Sequence, residues 1–301
     1  MESFLEMEII SKILTAYGNE ARYLFKMIFH PFETGLNSFY LLILVSLFVW
    51  TLEIVWPWRR NQKIIRKDFW LDAFYMFFNY FFFNLLIYAA LSSTTQMLFS
   101  KAMSRIGLPK NYVFDFMGTS PEWLRIILFF LLYDLIQWSV HNLLHRVPFL
   151  WRFHRLHHSV TEMGFAAHLR YHFMENIVYR LFLYTFLSYL LHFQLPNLFW
   201  LYAGTTLIGH LNHANFGMPY GPLKYILNNQ RLHIWHHAKG LPKSHPKGMN
   251  FAISLSIWDY LFGTYYMPYD GRDIELGFDN VEKFPVDFIH QQTEAFQKDM
   301  F

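Results

Sequence analysis

WLRIILFFLLYDLIQWSVHNLLHRVPFLWRFHRLHH, residues Trp123–His158, passes from an apolar run straight into a run of histidines. About 20 apolar residues cross the roughly 30 Å hydrocarbon layer as a helix, and Trp123 to about Val140 is such a run. Beyond it, His141–Asn–Leu–Leu–His145 reads H-x-x-x-H and His154–Arg–Leu–His157–His158 reads H-x-x-H-H. Further on, His233–Ile–Trp–His236–His237 repeats the second pattern. Residues at i, i+3 and i+4 share a helical face, so each motif turns two or three imidazoles in one direction. At this chain's histidine frequency, a given position starts H-x-x-H-H by chance roughly once in several thousand, so the clustering is not accidental. Neutral imidazole is the commonest metal-binding side chain and suits iron, zinc, copper and nickel. Eight clustered imidazoles exceed the four positions of a structural zinc, so two metal ions are the economical reading.

The rest of the chain supplies the frame. Asn37 to Trp58 is almost continuously apolar and ends in Trp56 and Trp58, followed by Arg59 and Arg60, as at a membrane interface. Glu53 lies near that end and is read as interfacial. The loop Arg59–Lys67 carries Arg59, Arg60, Lys63, Arg66 and Lys67, the strongest positive-inside signal in the chain. Trp70 to Ser93 is a second span. Thr94 to Glu122 is mixed, broken at Gly107, Pro109 and Pro121, and is expected on the far side, partly re-entrant. Asn176 to Ile208 is apolar but interrupted at His192–Pro196, which reads as a helical hairpin entering and leaving on one side. The expected fold is all-α: a multi-pass membrane helical bundle over residues 37–265, with spans at 37–58, 70–93 and 123–140 and a hairpin at 176–208. A histidine-rich di-metal cap faces the cytoplasm, between an N-terminal segment (1–36) and a soluble tail (266–301).

Composition agrees. Of 301 residues, 54% are hydrophobic and 21% aromatic, with 34 Phe. Only 16% are charged, against about 25% in a soluble domain. Mean hydropathy is +0.15, so part of the chain faces water. A net charge of +3 is too small to suggest nucleic acid. With no cysteine, disulfides, thiolate metal sites and iron–sulfur clusters are excluded. The acidic N-terminus has no basic n-region, so no cleaved signal peptide is expected.

The order H-x-x-x-H, H-x-x-H-H, H-x-x-H-H beside apolar spans resembles the fatty acid hydroxylase/sterol desaturase superfamily of integral membrane di-iron oxygenases. Asp134, Trp138 and His141, the stretch Leu150–His154, Arg170–Tyr–His172–Phe–Met–Glu175, and Ile257–Thr264 are similar to that family as well, though Phe173 stands where a proline is common. The likeness covers about residues 40–265. It implies two iron ions rather than zinc, dioxygen as oxidant, and oxidation of a C–H bond in a sterol or a fatty acyl or alkyl lipid. It also implies a ligand at about His213, beside His141, His145, His154, His157, His158, His233, His236 and His237.

Several further residues are candidates. His210 lies one turn before His213 and is a possible ligand. His172 is either a ligand or a supporting residue. Asp134, seven residues before His141 and so on its face, needs a partner that an imidazole N–H would supply. Asp259 reads the same way, or alternatively as a cap at a helix end. His168 is a weaker candidate. His30, His192, His245 and His290 read as ordinary. The sequence has no dinucleotide fingerprint, P-loop or cytochrome-like haem segment, so electrons are expected from an external reductase, cytochrome b5 or ferredoxin. Two other classes use histidines this way: a metal transporter or sensor, whose ligands belong inside the spans, and a zinc-dependent membrane hydrolase, which commonly brings an H-E-x-x-H glutamate. The histidines do not choose between hydroxylation, desaturation, methyl oxidation and ether cleavage. The topology is testable in a cysteine-free chain: single cysteines placed at positions 64 and 240 should be labelled from the same face of the membrane, and labelling from opposite faces contradicts the hairpin.

Overall fold

The computed structural model describes residues 2–33, 35, 37–83, 101, 104–107, 120–180 and 198–297. Among these, all regular structure is helical, and the only β pairing is two isolated bridges, Pro57 with Phe216 and Ala238 with Leu276. Helix α1 covers Glu2–Phe29 and α2 covers Ser38–Val55; α3, Phe69–Phe77, runs on into a π-turn, Phe78–Phe82. Then come α4 (Glu122–Arg146), α5 (Pro148–His158), a 3₁₀ turn (Phe165–Leu169), α6 (Phe173–Arg180) and α7 (Leu198–His213). The chain closes with α8 (Gln230–His236), α9 (Ile257–Leu261) and α10 (Phe288–Thr293).

Two of these helices, α2 and α4, are long and apolar enough to cross a membrane. Only 17% and 22% of their most apolar windows is buried, with Leu44, Leu47, Phe48, Trp123 and Ile127 among the exposed residues. A core helix of a soluble domain would bury such a surface, so these faces fit lipid. Of the other two expected spans, residues 84–93 and 181–197 lie outside the described residues.

Helix starts and stops follow local chemistry. Asn37 caps α2, its side-chain oxygen accepting from the backbone N–H of Phe39 at 3.0 Å and of Tyr40 at 3.3 Å. The third span does not end at Val140 as a helix: α4 continues to Arg146 and so carries His141 and His145 on the same rod. It stops there because Pro148 forces Val147 into an extended conformation, and Pro148 then opens α5 at its first position.

A buried ion network pins the segment after α5 to α3. Both oxygens of the fully buried Asp72 are used, one by Arg66 at 2.5 Å and one by Arg170 at 2.8 Å. The end of α2 is sewn to the residues after α7. Trp58 N–H donates to Asn215 O at 3.1 Å, Arg59 N–H to Asn215 Oδ1 at 2.7 Å, and Asn215 N–H to Glu53 Oε1 at 2.6 Å. Residues 266–297 fold back onto this body, where Tyr75 donates to Gln291 and Arg155 pairs with Glu294. Removing one partner of a buried ion pair leaves the others uncompensated, so Asp72→Ala should cost about 3–5 kcal/mol. Thermal unfolding in detergent checks this, and a midpoint equal to wild type contradicts it.

Candidate metal centre

Helix α4 presents His141 and His145, α5 presents His154, His157 and His158, α7 ends on His213, and α8 presents His233 and His236 with His237 at its end. Helix α8 starts where it does because Asn229 Oδ1 accepts from the backbone N–H of Arg231 and of Leu232. These nine imidazoles form two groups. His141, His145, His154, His158 and His236 make the first, and His157, His213, His233 and His237 the second; within each group the ligand atoms lie within 4.8 Å of one another. The two H-x-x-H-H motifs are shared crosswise. Each gives its first and last histidine to one group and its middle histidine to the other. His158 and His237 stack at the junction, ring centroids 4.3 Å apart.

The outer ring nitrogens show what the inner ones do. His141 Nδ1 lies 2.7 Å from Phe251 O, His236 Nδ1 2.9 Å from Met249 O, and His213 Nδ1 2.8 Å from Gly209 O. A carbonyl only accepts, so in each ring Nδ1 carries the proton and Nε2 a bare lone pair. His154 Nδ1 donates to Glu175 Oε1 at 3.0 Å, which leaves its Nε2 bare as well. Yet His141 Nε2 and His154 Nε2 face each other at 3.1 Å, with no proton between them to share. His213 Nε2 stands 2.9 Å from His233 Nε2, and His154 Nε2 3.2 Å from His158 Nε2. Metal–nitrogen bonds of 2.0–2.1 Å at right angles hold two ligand atoms about 3 Å apart, so these spacings fit a shared cation. His145 Nε2 and His236 Nε2 are buried with no hydrogen-bond partner, which also fits.

Electrostatics keeps the ligands ready. Burial, then repulsion between neighbouring rings, holds His154, His157, His158, His233, His236 and His237 well below the ordinary histidine value. They are therefore neutral, the form that binds metal. Burial pushes Glu175 above the ordinary carboxylate range, and a metal ion held by His154 would oppose that push.

Nine of the ten candidate ligands are brought together; His210 is not. Its Nδ1 meets His168 Nδ1 at 2.8 Å and its Nε2 meets Ser46 Oγ at 3.1 Å. His172 also stands apart. Its Nε2 donates to Gln292 O at 2.8 Å and its Nδ1 accepts from Met174 N–H at 3.0 Å, so neither nitrogen is left for a metal. Asp134 does not take an imidazole N–H as the sequence suggested; it accepts from the backbone N–H of Ser254 and Leu255 and from Trp258 Nε1. Asp259 accepts from the backbone N–H of Phe251 and Ala252, from Trp138 Nε1 and from Thr264 Oγ1. Both carboxylates thus brace the strip that contains the Phe251 carbonyl holding His141. Asn250, in the left-handed region at φ 52°, makes that strip possible: its side chain donates to Leu232 O and Tyr266 O and accepts from Tyr266 N–H, while its neighbours' carbonyls each reach an imidazole. The sequence reading gave no role to Glu175 or to these carbonyls. Glu175 stood in the quoted Arg170–Glu175 stretch and was legible there; the carbonyls leave no trace in side-chain identity.

Helices ending on two groups of buried, neutral imidazoles make an arrangement that could hold metal ions, and comparison with known proteins shows what the chain resembles. The fatty acid hydroxylase family model matches residues 126–264, a segment that contains all nine clustered histidines. Over that segment the chain is similar to the fatty acid hydroxylase family. It is 33% identical over 178 residues to ornithine lipid hydroxylase OlsE of Rhizobium tropici, covering 59% of this chain and 52% of that one. It is 28% identical over 131 residues to alkylglycerol monooxygenase of Xenopus tropicalis, covering 42% and 27%, and 26% identical over 164 residues to methylsterol monooxygenase 1-1 of Arabidopsis thaliana, covering 53% and 51%. The chain therefore spans about half the length of the first of these relatives and about a quarter of the second. No solved structure matches.

The crosswise division carries a stoichiometric consequence. Purified protein should hold one metal ion per histidine group, and His213→Ala should empty the second group while the first stays loaded. Glu175→Ala should weaken metal binding about 10–100-fold by freeing the His154 ring. Metal analysis of the purified variants reads both effects; loss of both ions in His213→Ala, with the fold intact, contradicts the division.

Proposed function

We propose that this chain is a membrane-embedded di-iron monooxygenase that hydroxylates a C–H bond in a membrane lipid. The observation that carries this reading is the pair of imidazole groups, bare nitrogens about 3 Å apart, at the end of an apolar helix with its outer face exposed. Two bound iron ions would supply the activation of dioxygen. The net reaction takes one lipid C–H bond, O2, two electrons and two protons, and yields the alcohol and water. The names of the relatives support the substrate class: an ornithine lipid, an alkylglycerol and a methylsterol are all lipids.

The chain's own residues have three tasks here. His141, His236 and His213 are fixed in tautomer and direction by carbonyls, so nothing need reorganise when a cation enters. The apolar packing around the groups excludes water; Phe251 and Leu144 beside the first group are fully buried. The exposed faces of α2 and α4 let a lipid approach without leaving the membrane. Against a zinc hydrolase stands the engagement of Glu175, which accepts from a ligand imidazole and so is not aimed at a water as a base.

The basic loop supports an orientation with the histidines on the cytoplasmic side. Arg59 Nη2 donates to Met163 O at 2.7 Å and the Lys67 N–H to Glu162 Oε2 at 3.0 Å, so the loop lies at the histidine end of the bundle. Electrons then arrive from a cytoplasmic reductase, cytochrome b5 or ferredoxin. Labelled dioxygen tests the proposal. Membranes containing the protein, supplied with iron and a reductase system, should place one labelled oxygen atom in a lipid product. A dehydrogenated lipid with label only in water moves the enzyme to desaturation, and lipid turnover without oxygen ends the oxygenase reading.

A further inference from the structure

Apart from the histidine groups, a cavity of about 220 Å³ opens where α2 ends, lined among others by Trp50, Glu53, Ile54, Arg60, Lys63 and Ile64. Its polar atoms are sorted by sign. On the donor side, Trp50 Nε1 is buried with no acceptor, and Arg60 and Lys63 are exposed with no ion pair among the described residues. Arg66 also borders the cavity, but its guanidinium is committed to Asp72. On the acceptor side stands Glu53. Its Oε1 is used by the backbone N–H groups of Phe165 at 2.8 Å and Asn215 at 2.6 Å, while Oε2 accepts no hydrogen bond among the described residues and its charge is felt by Arg59 and Arg66. A donor buried without an acceptor calls for a ligand atom, and the Glu53 oxygen in the same lining is free to accept from one.

The rim tells what carries these two charges. Ile54 and Ile64 are 43% and 57% exposed, and Trp56, which follows α2, and Trp70, in the first turn of α3, are 62% and 71% exposed. Tryptophans next to unpaired Arg and Lys at the end of an apolar helix mark the headgroup layer of a bilayer. At about 220 Å³ the cavity has room for a small headgroup and too little for a whole lipid.

We propose that this cavity binds the headgroup of a zwitterionic membrane lipid, its anionic group on Trp50 Nε1, Arg60 and Lys63, its primary ammonium on Glu53, and its acyl chains over Ile54 and Ile64. The site does not depend on the metal reading; the lipid it holds can be substrate or resident. Native mass spectrometry of the full chain in detergent tests it, with dioleoylphosphatidylethanolamine, dioleoylphosphatidylglycerol and glycerophosphoethanolamine as probes. Wild type should retain the ethanolamine lipid several-fold better than the glycerol lipid. Glu53→Gln keeps the oxygen that caps Phe165 and Asn215 but loses the charge, and should erase that preference. Arg60→Gln combined with Lys63→Gln, at exposed positions that leave the fold unaffected, should weaken both lipids and stands alone if Glu53→Gln does not fold. The water-soluble glycerophosphoethanolamine should not displace the lipid. Equal retention of both lipids by wild type, unchanged retention in the double variant, or displacement by the soluble headgroup overturns the proposal.

Discussion

Bare imidazole lone pairs held face to face, away from water, are the interaction on which this structure turns. His141 and His154 direct Nε2 atoms at each other at 3.1 Å, and each has already spent its only N–H elsewhere. Without a cation such an arrangement is repulsive and desolvated at once, so the surroundings must hold it against its own preference. The holding is done by the outer nitrogens. Each N–H given to a carbonyl or to Glu175 fixes a ring and removes the alternative tautomer that would have let two imidazoles hydrogen-bond to one another. The strip from Met249 to Phe251, the end of α7 and Glu175 on α6 therefore act as one clamp, although they lie far apart in the chain.

The sequence showed the histidines and concealed how they divide. Counting i, i+3 and i+4 onto one helical face assigns each H-x-x-H-H to a single direction, which is true only at low resolution. At about 100° per residue, i and i+4 differ by about 40°, while i+3 falls about 60° to the other side of i. That offset separates His157 from His154 and His158, and His236 from His233 and His237, so each α-helix serves two groups. The apolar run before His141 was equally legible, as a span leading directly into the histidines. Backbone hydrogen bonding ignores polarity and stops at Pro148, which is why His141 and His145 sit rigidly on the span.

His210 and His172 have metal-ligand side chains, but each has both nitrogens occupied by neighbours no local pattern reveals: His168 and Ser46 for one, Gln292 and Met174 for the other. Asp134 and Asp259 were recognised as buried acids that need donors. The donors are backbone amides and indoles rather than imidazoles, because each carboxylate has four lone-pair sites to satisfy, and a turn of amides fills them more completely than one ring N–H. Their effect on the metal groups passes through a peptide unit: Asp259 binds the N–H of Phe251, whose carbonyl holds His141.

Gly209 shows how closely the membrane and the metal groups are joined. Its carbonyl orients His213, and a Cβ in its place would stand 2.1 Å from His168 Nε2, so the same residue fixes a candidate ligand and makes room for the neighbouring ring. His168 in turn reaches His210, and His210 reaches Ser46 on the buried face of α2. Seven residues along that helix is Glu53, two turns on and so on the same side, where it caps Phe165 and Asn215. Phe165 begins the turn that carries His168, and Asn215 follows His213 by two residues. One face of α2 is thus bonded, through His210 and through Asn215, to the segment that carries His213. Glu53, which lines the cavity at the end of α2, thus lies on the same face of that helix as Ser46, whose hydroxyl meets His210 one turn before His213.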